Sequence, residues 1–295
     1  MRIETLDLGY RETPHTIAAF LVFGESGPVL VETGPASTLP ALDRALAEHG
    51  VAIGDIRNVL VTHIHLDHAG AAGWWSERGA RIYVHPRGAR HLVDPSKLLA
   101  SATRIYGDKM DELWGEVRAA SADLVTAVED GEVIEAEGLR FTALETPGHA
   151  SHHHVYRLED VAFTGDAAGI RIPGSTWIDL PAPPPEFDLE VWKATLDTLR
   201  AQRFRVVYRT HFGASEDIGA ELDRFEALLD ETVGFVRDLY ARETERSEAL
   251  STYSSWIAAR ARAEGAGSEE IRAYEVANPR AMSVDGIHRY LTRSP

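Results

Sequence analysis

The chain has 295 residues, of which 44% are hydrophobic and 26% charged, a composition typical of a globular protein that buries a sizeable core. Its 30 basic and 46 acidic residues give a formal net charge of −16, which disfavours phosphate backbones, so no nucleic-acid partner is expected. Cysteine is absent, which excludes disulfides, thiolate metal ligands and a catalytic cysteine.

Targeting and membrane signals are also missing from the sequence. No apolar stretch reaches the ~18–20 residues that a membrane span needs, so no membrane partner is expected. The first residues, MRIETLDLGYRETPH, lack the basic segment and apolar run of a signal peptide. The expected location is therefore the cytoplasm.

The first part of the chain alternates between predicted strands and helices. Two apolar runs around GESG predict a β-hairpin over 16–34, and LPALDRALAEHG predicts a helix over 39–50 that ends at a glycine. A buried strand over 56–62, a short helix over 69–79 and a strand over 80–85 follow. This alternation indicates a layered α/β fold.

The middle of the chain changes character. Residues 87–128 contain helical stretches separated by Asp-Pro and Tyr-Gly, which predicts a helical insertion. Four strands are predicted between residues 132 and 164, and the prolines of residues 181–185 predict an extended loop. A helix over 188–202, with Asp188 as its N-cap, precedes a strand over 204–210.

The last part of the chain reads as helix without strands. We therefore predict a domain over 1–215 and a helical C-terminal extension over 216–295. The amphipathic segment 221–242 fits packing either on the domain or on a second subunit, so a homodimer is one expectation.

Three histidines and an aspartate crowd into the segment VLVTHIHLDHAG at residues 59–70. Alternate side chains of an extended segment face the same way, so His63, His65 and Asp67 point to one side. His68 joins them if the chain turns at 67–68, where Asp67 is a suitable N-cap. Such a segment offers imidazoles and a carboxylate to two different metal centres, whereas the alternative is a run of surface histidines.

Three further polar residues follow apolar strands elsewhere. His149 lies in TPGHASHHH, Asp166 in VAFTGDAAG and His211 in VVYRTHFG. Each residue alone fits an ordinary turn. Strand ends from distant sequence converge on one edge of a layered α/β fold, so together they predict one site.

These stretches, THIHLDHAG, TPGHASHH, FTGDA and THFG, resemble the metallo-beta-lactamase superfamily of hydrolases, especially its glyoxalase II-like and lactonase-like branch. The resemblance implies a four-layer αββα sandwich with two divalent metal ions at one edge, expected to be zinc, with iron or manganese as alternatives. The implied ligands are seven: His63, His65 and His149 for the first ion, Asp67, His68 and His211 for the second, and Asp166 as a bridge.

Such a centre predicts hydrolysis of an ester-like bond in a small molecule, such as a thioester or a lactone. Metal binding brings the pKa of water from ~15.7 to ~7, so a bridging hydroxide can attack the carbonyl at neutral pH. Asp67 is expected to orient this nucleophile or relay a proton. The alternatives are an oxidoreductase that resembles persulfide dioxygenases, with one iron held by His63, His149 and Asp166, and a phosphodiesterase, which the acidic charge disfavours.

The sequence departs from the family pattern at one place near the site. Members often have VLIDTG after the first hairpin, whereas this chain has VLVETG, so Glu32 replaces an aspartate. The longer side chain can still accept a hydrogen bond from a metal-binding histidine. The NPFLR-like segment of glutathione-binding relatives is also missing, and VANPRAM at 276–282 shares only Asn-Pro with it.

The substrate pocket is expected to lie between the insertion and the C-terminal helices. Tyr106, Trp114 and Trp177 are candidates for its lining, the alternative being ordinary core packing. His153 is a candidate for supporting the metal ligands. Its neighbours His152 and His154 are expected to face elsewhere, since adjacent residues of a strand alternate.

Overall fold

The fold is a sandwich of two mixed six-stranded sheets, seen in a computed structural model that describes residues 2–293. The first sheet has the order β1-β2-β3-β4-β5-β6. Its strands are β1 (Arg2–Asp7), β2 (Ala18–Phe23), β3 (Pro28–Val31), β4 (Asn58–Leu60), β5 (Arg81–Val84) and β6 (Val125–Ala127). β1, β2 and β3 are antiparallel neighbours, and β3 to β6 run parallel.

The second sheet has the order β12-β11-β10-β9-β8-β7. Its strands are β7 (Val133–Ala136), β8 (Leu139–Glu145), β9 (His154–Leu158), β10 (Val161–Gly165), β11 (Val206–Arg209) and β12 (Gly213–Ser215). β10 and β11 are parallel, and the other neighbours are antiparallel. β8 and β10 therefore point the same way, so the chain leaves both at one edge.

Helices cover the outer face of each sheet. They are α1 (Leu39–Glu48), α2 (Leu66–Ala69), α3 (Ala72–Ser76), α4 (Pro86–Val93), α5 (Ser96–Tyr106), α6 (Met110–Trp114), α7 (Leu189–Gln202), α8 (Ile218–Ala241), α9 (Arg246–Ala263), α10 (Ser268–Ala277) and α11 (Arg280–Thr292). None of the helices in residues 2–293 has an apolar stretch long enough to cross a bilayer.

Three apolar layers hold the sandwich together. Phe20 of β2 packs with Phe163 of β10 between the sheets, whereas its neighbour Leu21 packs on the helices outside the first sheet. Because β2 is buried on both faces, its sequence AAFLVF is apolar throughout and does not alternate. The layers are thus helix, sheet, sheet and helix, and the predicted αββα sandwich is confirmed.

The helical C-terminal region packs on the outer face of the second sheet. Val155 and Val207 of that sheet share one core with Trp192 of α7, Phe225 of α8 and Ile287 of α11. The amphipathic segment predicted over 221–242 therefore packs inside the chain. The homodimer and the boundary at residue 215 stay predictions.

Two local predictions need correction. Residues 125–127 were assigned to the helical insertion, but they form β6 and pair with β5, because that strand's free edge accepts another parallel strand. The turn into the helix after β4 was predicted at 67–68 with Asp67 as N-cap. The structure places His65 at the N-cap of α2, so the chain turns two residues earlier. The N-cap at Asp188 is confirmed, since its side chain accepts from the Val191 N–H at 3.1 Å.

Candidate metal centre

The seven predicted ligands meet at one edge of the sandwich. Each follows the end of a strand: three histidines and Asp67 after β4, His149 after β8, Asp166 after β10 and His211 after β11. The carboxyl ends of strands running the same way reach the same edge of a sheet, which explains the convergence. We call these seven side chains the His/Asp cluster.

One half of the cluster consists of His63, His65 and His149. Nδ1 of His65 lies 3.0 Å from Nε2 of His63 and 2.9 Å from Nε2 of His149. These three nitrogen atoms form a group within which one metal ion can be held. Only His65 is partly exposed, and the other two rings are buried.

The other half consists of Asp67, His68 and His211. Oδ2 of Asp67 lies 3.4 Å from Nε2 of His211 and 3.8 Å from Nε2 of His68. These three residues form a second group able to hold an ion. Asp67 has the more exposed carboxylate of the cluster, with 21% of its side chain accessible against 4% for Asp166.

Asp166 lies between the two halves. Its Oδ2 is 3.3 Å from Nε2 of His149, and its Oδ1 is 3.4 Å from Nε2 of His68 and 3.6 Å from Nε2 of His211. A carboxylate with one oxygen toward each half has the position that the sequence predicts for a bridge.

Hydrogen bonds outside the cluster fix which nitrogen of each ring faces inward. Nδ1–H of His149 donates to the Pro181 carbonyl at 2.8 Å, and Nδ1–H of His211 donates to the Thr16 carbonyl at 2.5 Å. A neutral imidazole that donates from one nitrogen carries a lone pair on the other. Nε2 of both histidines therefore faces the cluster as a potential metal ligand.

Glu32, at the end of β3, does the same for His68. Its Oε1 accepts from Nδ1 of His68 at 3.2 Å and from the hydroxyl of Thr62 at 2.5 Å. Because the Thr62 hydroxyl donates to Glu32, its oxygen is free to accept from Nδ1 of His63 at 3.1 Å. The buried Glu32 thus reaches a histidine of the cluster as predicted, despite replacing an aspartate.

His153 supports the cluster from behind Asp166. Its Nε2 accepts from the backbone N–H of Asp166 at 3.2 Å, so its Nδ1 is protonated and donates to the Thr146 hydroxyl at 2.8 Å. The prediction for His153 is confirmed. His154 lies away from the cluster, with its ring 4.6 Å from that of His85.

The prediction for His152 is wrong. It lines the cavity above the cluster, with its ring 5.4 Å from that of His65 and its Nε2 3.3 Å from Oε2 of Glu186. His152 precedes β9, which begins at His154, so the alternation of a regular strand does not apply to it.

The electrostatics of the cluster favour a cation. Burial holds the pKa of His63 well below its usual value and lowers that of His65 to about 3, so both rings are neutral. Burial opposes the ionisation of Asp67 and Asp166, but His68 beside them outweighs it. The pKa of Asp67 falls to about 2, and that of Asp166 falls well below its usual range. Against the effect of burial, the two carboxylates in turn raise the pKa of His68 well above its usual value. Neutral imidazoles and ionised carboxylates are the forms that bind metals, so an ion in the second half would displace a proton from His68.

The donor set also fits a metal. Nε2 of His68 and Oδ1 of Asp166 are buried without a hydrogen-bond partner, although buried polar atoms nearly always have one. The inward ring nitrogens of His63, His65 and His149 lie about a hydrogen-bond distance apart. The N–H groups of His63 and His149 point to other partners, so the inward nitrogens of these two rings are not donors. A divalent cation in each half would satisfy these atoms, and imidazole with carboxylate is a donor set suited to zinc.

A cavity above the cluster is walled by the insertion and by the C-terminal region. Of the three aromatic candidates, Tyr106 and Trp114 line it, with their rings 5.1 Å apart. Trp177 does not line it. This side chain is 1% exposed and lies in the core between the second sheet and the C-terminal helices. The cavity is also lined by residues that the sequence did not predict, because single residues outside a motif carry no local signal: Tyr10, Arg11, Lys97, Lys109 and Met282.

The fold and the cluster define a metal-binding α/β sandwich, and sequence comparison gives its family. The chain belongs to the metallo-beta-lactamase superfamily, whose family model matches residues 13–211. This confirms the predicted resemblance.

Particular relatives show the same family relationship. The chain is 26% identical over 215 residues to the metallo-beta-lactamase fold-containing protein ST1585 of Sulfurisphaera tokodaii, covering 72% of this chain and 78% of that protein. It is 24% identical over 242 residues to the atrochrysone carboxyl ACP thioesterase dmxR1 of Cryptosporiopsis sp., covering 81% of this chain and 59% of that protein.

A solved structure is similar over nearly the whole chain. The metallo-beta-lactamase family protein TTHA1429 of Thermus thermophilus has a TM-score of 0.71 and 23% identity, covering 98% of this chain and 92% of that one. This similarity includes the C-terminal helices and shows a shared fold.

Proposed function

We propose that the chain is a metal-dependent hydrolase with a dinuclear centre, acting on an ester-like bond such as that of a thioester or a lactone. The convergence of seven donor side chains carries this proposal. Five histidines each present a ring nitrogen and two aspartates present a carboxylate, and four of these seven residues, His65, Asp67, His149 and Asp166, line the cavity.

The two halves of the cluster have separate parts in this proposal. His63, His65 and His149 would hold one ion, Asp67, His68 and His211 the other, and Asp166 would contact both. Bound divalent ions would supply an activated water, with its pKa brought from ~15.7 to ~7, and a Lewis acid for the carbonyl oxygen.

Residues around the ligands supply positioning. The Pro181 carbonyl and Glu32 hold His149 and His68 with the correct nitrogen inward. Asp67 reaches the cavity, where its partly exposed carboxylate can accept a hydrogen bond from a water or substrate. This is consistent with the predicted role of Asp67 in orienting the nucleophile.

Two observations favour this proposal over the alternatives. The group formed by Asp67, His68 and His211 has no part in the mononuclear iron site of a dioxygenase-like oxidoreductase, yet its ligand atoms also lie within 4.8 Å of one another. The name of the relative dmxR1, an ACP thioesterase, supports an acyl substrate for this chain.

Elemental analysis and activity assays test the proposal together. Purified protein reloaded with zinc or manganese should hold two ions per chain and hydrolyse members of a thioester and lactone panel. His63→Ala and His211→Ala should each lose at least one ion and most of the activity. His49→Ala, at the end of α1 and away from the cluster, is the matched control and should keep both.

One iron per chain with oxygen uptake would instead support the dioxygenase-like alternative. The proposal would be overturned if the metal-loaded protein hydrolysed no member of the panel faster than buffer, or if His63→Ala retained full metal content.

A further inference from the structure

The cavity above the His/Asp cluster has a volume of about 620 Å3, in the range of small-molecule sites. Its floor is formed by His65, Asp67, His149 and Asp166. Any bond that the cluster hydrolyses must lie at this floor. The rest of the cavity therefore receives the groups on either side of the reacting carbonyl.

The walls of the cavity are mainly apolar. On one side, the ring of Trp114 stacks on Tyr10 at 5.8 Å and meets the edge of Tyr106 at 5.1 Å. On the other side lie Val276 and Met282 of the C-terminal region. Each methylene that leaves water for such a surface gains about fourfold in affinity, so these walls favour an extended apolar group.

Three basic side chains also line the cavity, and all three are exposed: Arg11, Lys97 and Lys109. The chain contains only three lysines, and two of them are here. Within residues 2–293, none of the three cations lies within 4 Å of a carboxylate. Three unpaired cations lining one cavity are unexpected in a protein with a net charge of −16.

The carboxylates that line the cavity do not neutralise these cations. Asp67 and Asp166 belong to the floor, among the histidines. Glu186 is occupied by other partners, since its side chain accepts from the backbone N–H of Ser151 at 2.9 Å and faces His152 at 3.3 Å. The three basic residues are therefore available to an anion from solution.

We propose that the substrate is a small anionic amphiphile: an ester-like compound with an extended apolar acyl group and a phosphate or carboxylate on its other part. This inference rests on the proposed function and names the groups that flank its reacting bond. The acyl group lies between the walls, and the anion is bound by Arg11, Lys97 and Lys109. For a thioester, water adds oxygen to the acyl carbon, the carbon–sulfur bond breaks, and the thiol leaves with a proton.

The overall charge favours a small molecule over an acidic carrier protein. Charges are screened beyond about 8 Å at physiological ionic strength, so the basic side chains that line the cavity act mainly on an anion bound within it. An acidic protein would instead bring many carboxylates against a surface that carries 16 excess negative charges.

The test compares one acyl group on two carriers. Decanoyl-coenzyme A carries phosphates, and the decanoyl thioester of N-acetylcysteamine carries no charge. With metal-loaded protein at low salt, kcat/KM should be about tenfold or more higher for the coenzyme A thioester, and the difference should shrink as salt is added. Acetyl-coenzyme A should be much poorer than decanoyl-coenzyme A, because it leaves the walls unfilled.

Lysine variants identify the anion site. An exposed ion pair contributes about 1.4- to fivefold, so the double variant Lys97→Gln/Lys109→Gln should lose about two- to 25-fold more kcat/KM for the coenzyme A thioester than for the neutral one. The matched control is Lys193→Gln, which removes the third lysine. Lys193 pairs with Asp230 between α7 and α8, outside the cavity, so kcat/KM should not change.

Equal kcat/KM values for the two thioesters, in wild type and double variant alike, would overturn the inference while leaving the hydrolase proposal intact. Turnover restricted to an acyl group on a carrier protein would also overturn it. If no thioester is hydrolysed, binding of S-decyl-coenzyme A, followed by intrinsic fluorescence, separates the two proposals. Binding that the double variant weakens supports the amphiphile site alone, and no binding rejects it.

Discussion

The contact between the C-terminal helices and the segment that orients His149 provides the sharpest prediction. Nη1 of Arg280, at the start of α11, lies 2.7 Å from Oδ2 of Asp179, and their side chains are 4% and 0% exposed. Asn278 donates to the same Asp179 oxygen and to the Leu180 carbonyl, both at 2.9 Å. The next carbonyl, that of Pro181, accepts from His149. A buried ion pair thus holds the segment that orients a predicted metal ligand.

Arg280→Met replaces the charged side chain with an apolar one that is also long and unbranched. The Asp179 carboxylate then stays buried without its cation. Removing one partner of a buried pair costs about 3–5 kcal/mol, because the remaining charge stays desolvated. At roughly 2–4 °C per kcal/mol for a chain of this size class, the melting temperature should fall by about 6–20 °C. Without the ion pair, residues 179–181 are no longer held in place. Metal binding should therefore weaken as well, because His149 loses its fixed orientation.

The assay is urea and thermal unfolding of the metal-loaded protein, with metal content measured on the same samples. Arg246→Met is the matched control. Arg246 of α9 pairs with Asp285 of α11, the helix that also contains Arg280. The two side chains are 58% and 34% exposed, so this change should cost only about 0–1 kcal/mol.

The double variant Asp179→Asn/Arg280→Met should recover part of the loss, since no buried charge is left without a partner; Glu275, which also pairs with Arg280, is 53% exposed. The reasoning is refuted if Arg280→Met is no less stable than Arg246→Met and holds as much metal as the wild type.

Three further predictions concern the cluster. Glu32→Gln replaces the anionic acceptor of His68 and should lower metal affinity about 10–100-fold, measured by competition with a chelator; an unchanged affinity would contradict the positioning role. Gly165→Ala places a Cβ 2.5 Å from the Thr62 hydroxyl and should lower the free energy of unfolding by about 1–3 kcal/mol more than Gly131→Ala does. Gly131 is the matched control, because its φ is also left-handed but a Cβ there has no atom within 4 Å. Equal unfolding curves for the two variants would contradict this crowding. Removing metal with a chelator should lower the unfolding free energy by about 4 kcal/mol when free metal had been at 1,000 times its Kd, and a melting temperature independent of metal would contradict a preformed site.

The sequence alone was sufficient for the fold class and for the membership of the cluster. A strand that is apolar throughout, such as AAFLVF, is thereby predicted to be buried on both faces. A ligand that follows a strand lies at a predictable edge of the sheet. His63, Asp166 and His211 therefore came together as expected, and Glu32 reached His68. Whether these side chains bind two ions stays a prediction.

Only the tertiary structure decided what surrounds the cluster. An amphipathic helix specifies which of its faces is buried but not its partner, so the sequence did not distinguish Trp114 in the cavity wall from Trp177 in the core. It could not place Lys97 in the same cavity as Met282, because that arrangement depends on how distant helices pack. The Pro181 carbonyl that orients His149 has no side-chain signature, since any residue could supply it. The chemistry is local in the sequence, whereas the shape and charge that select a substrate come from long-range packing.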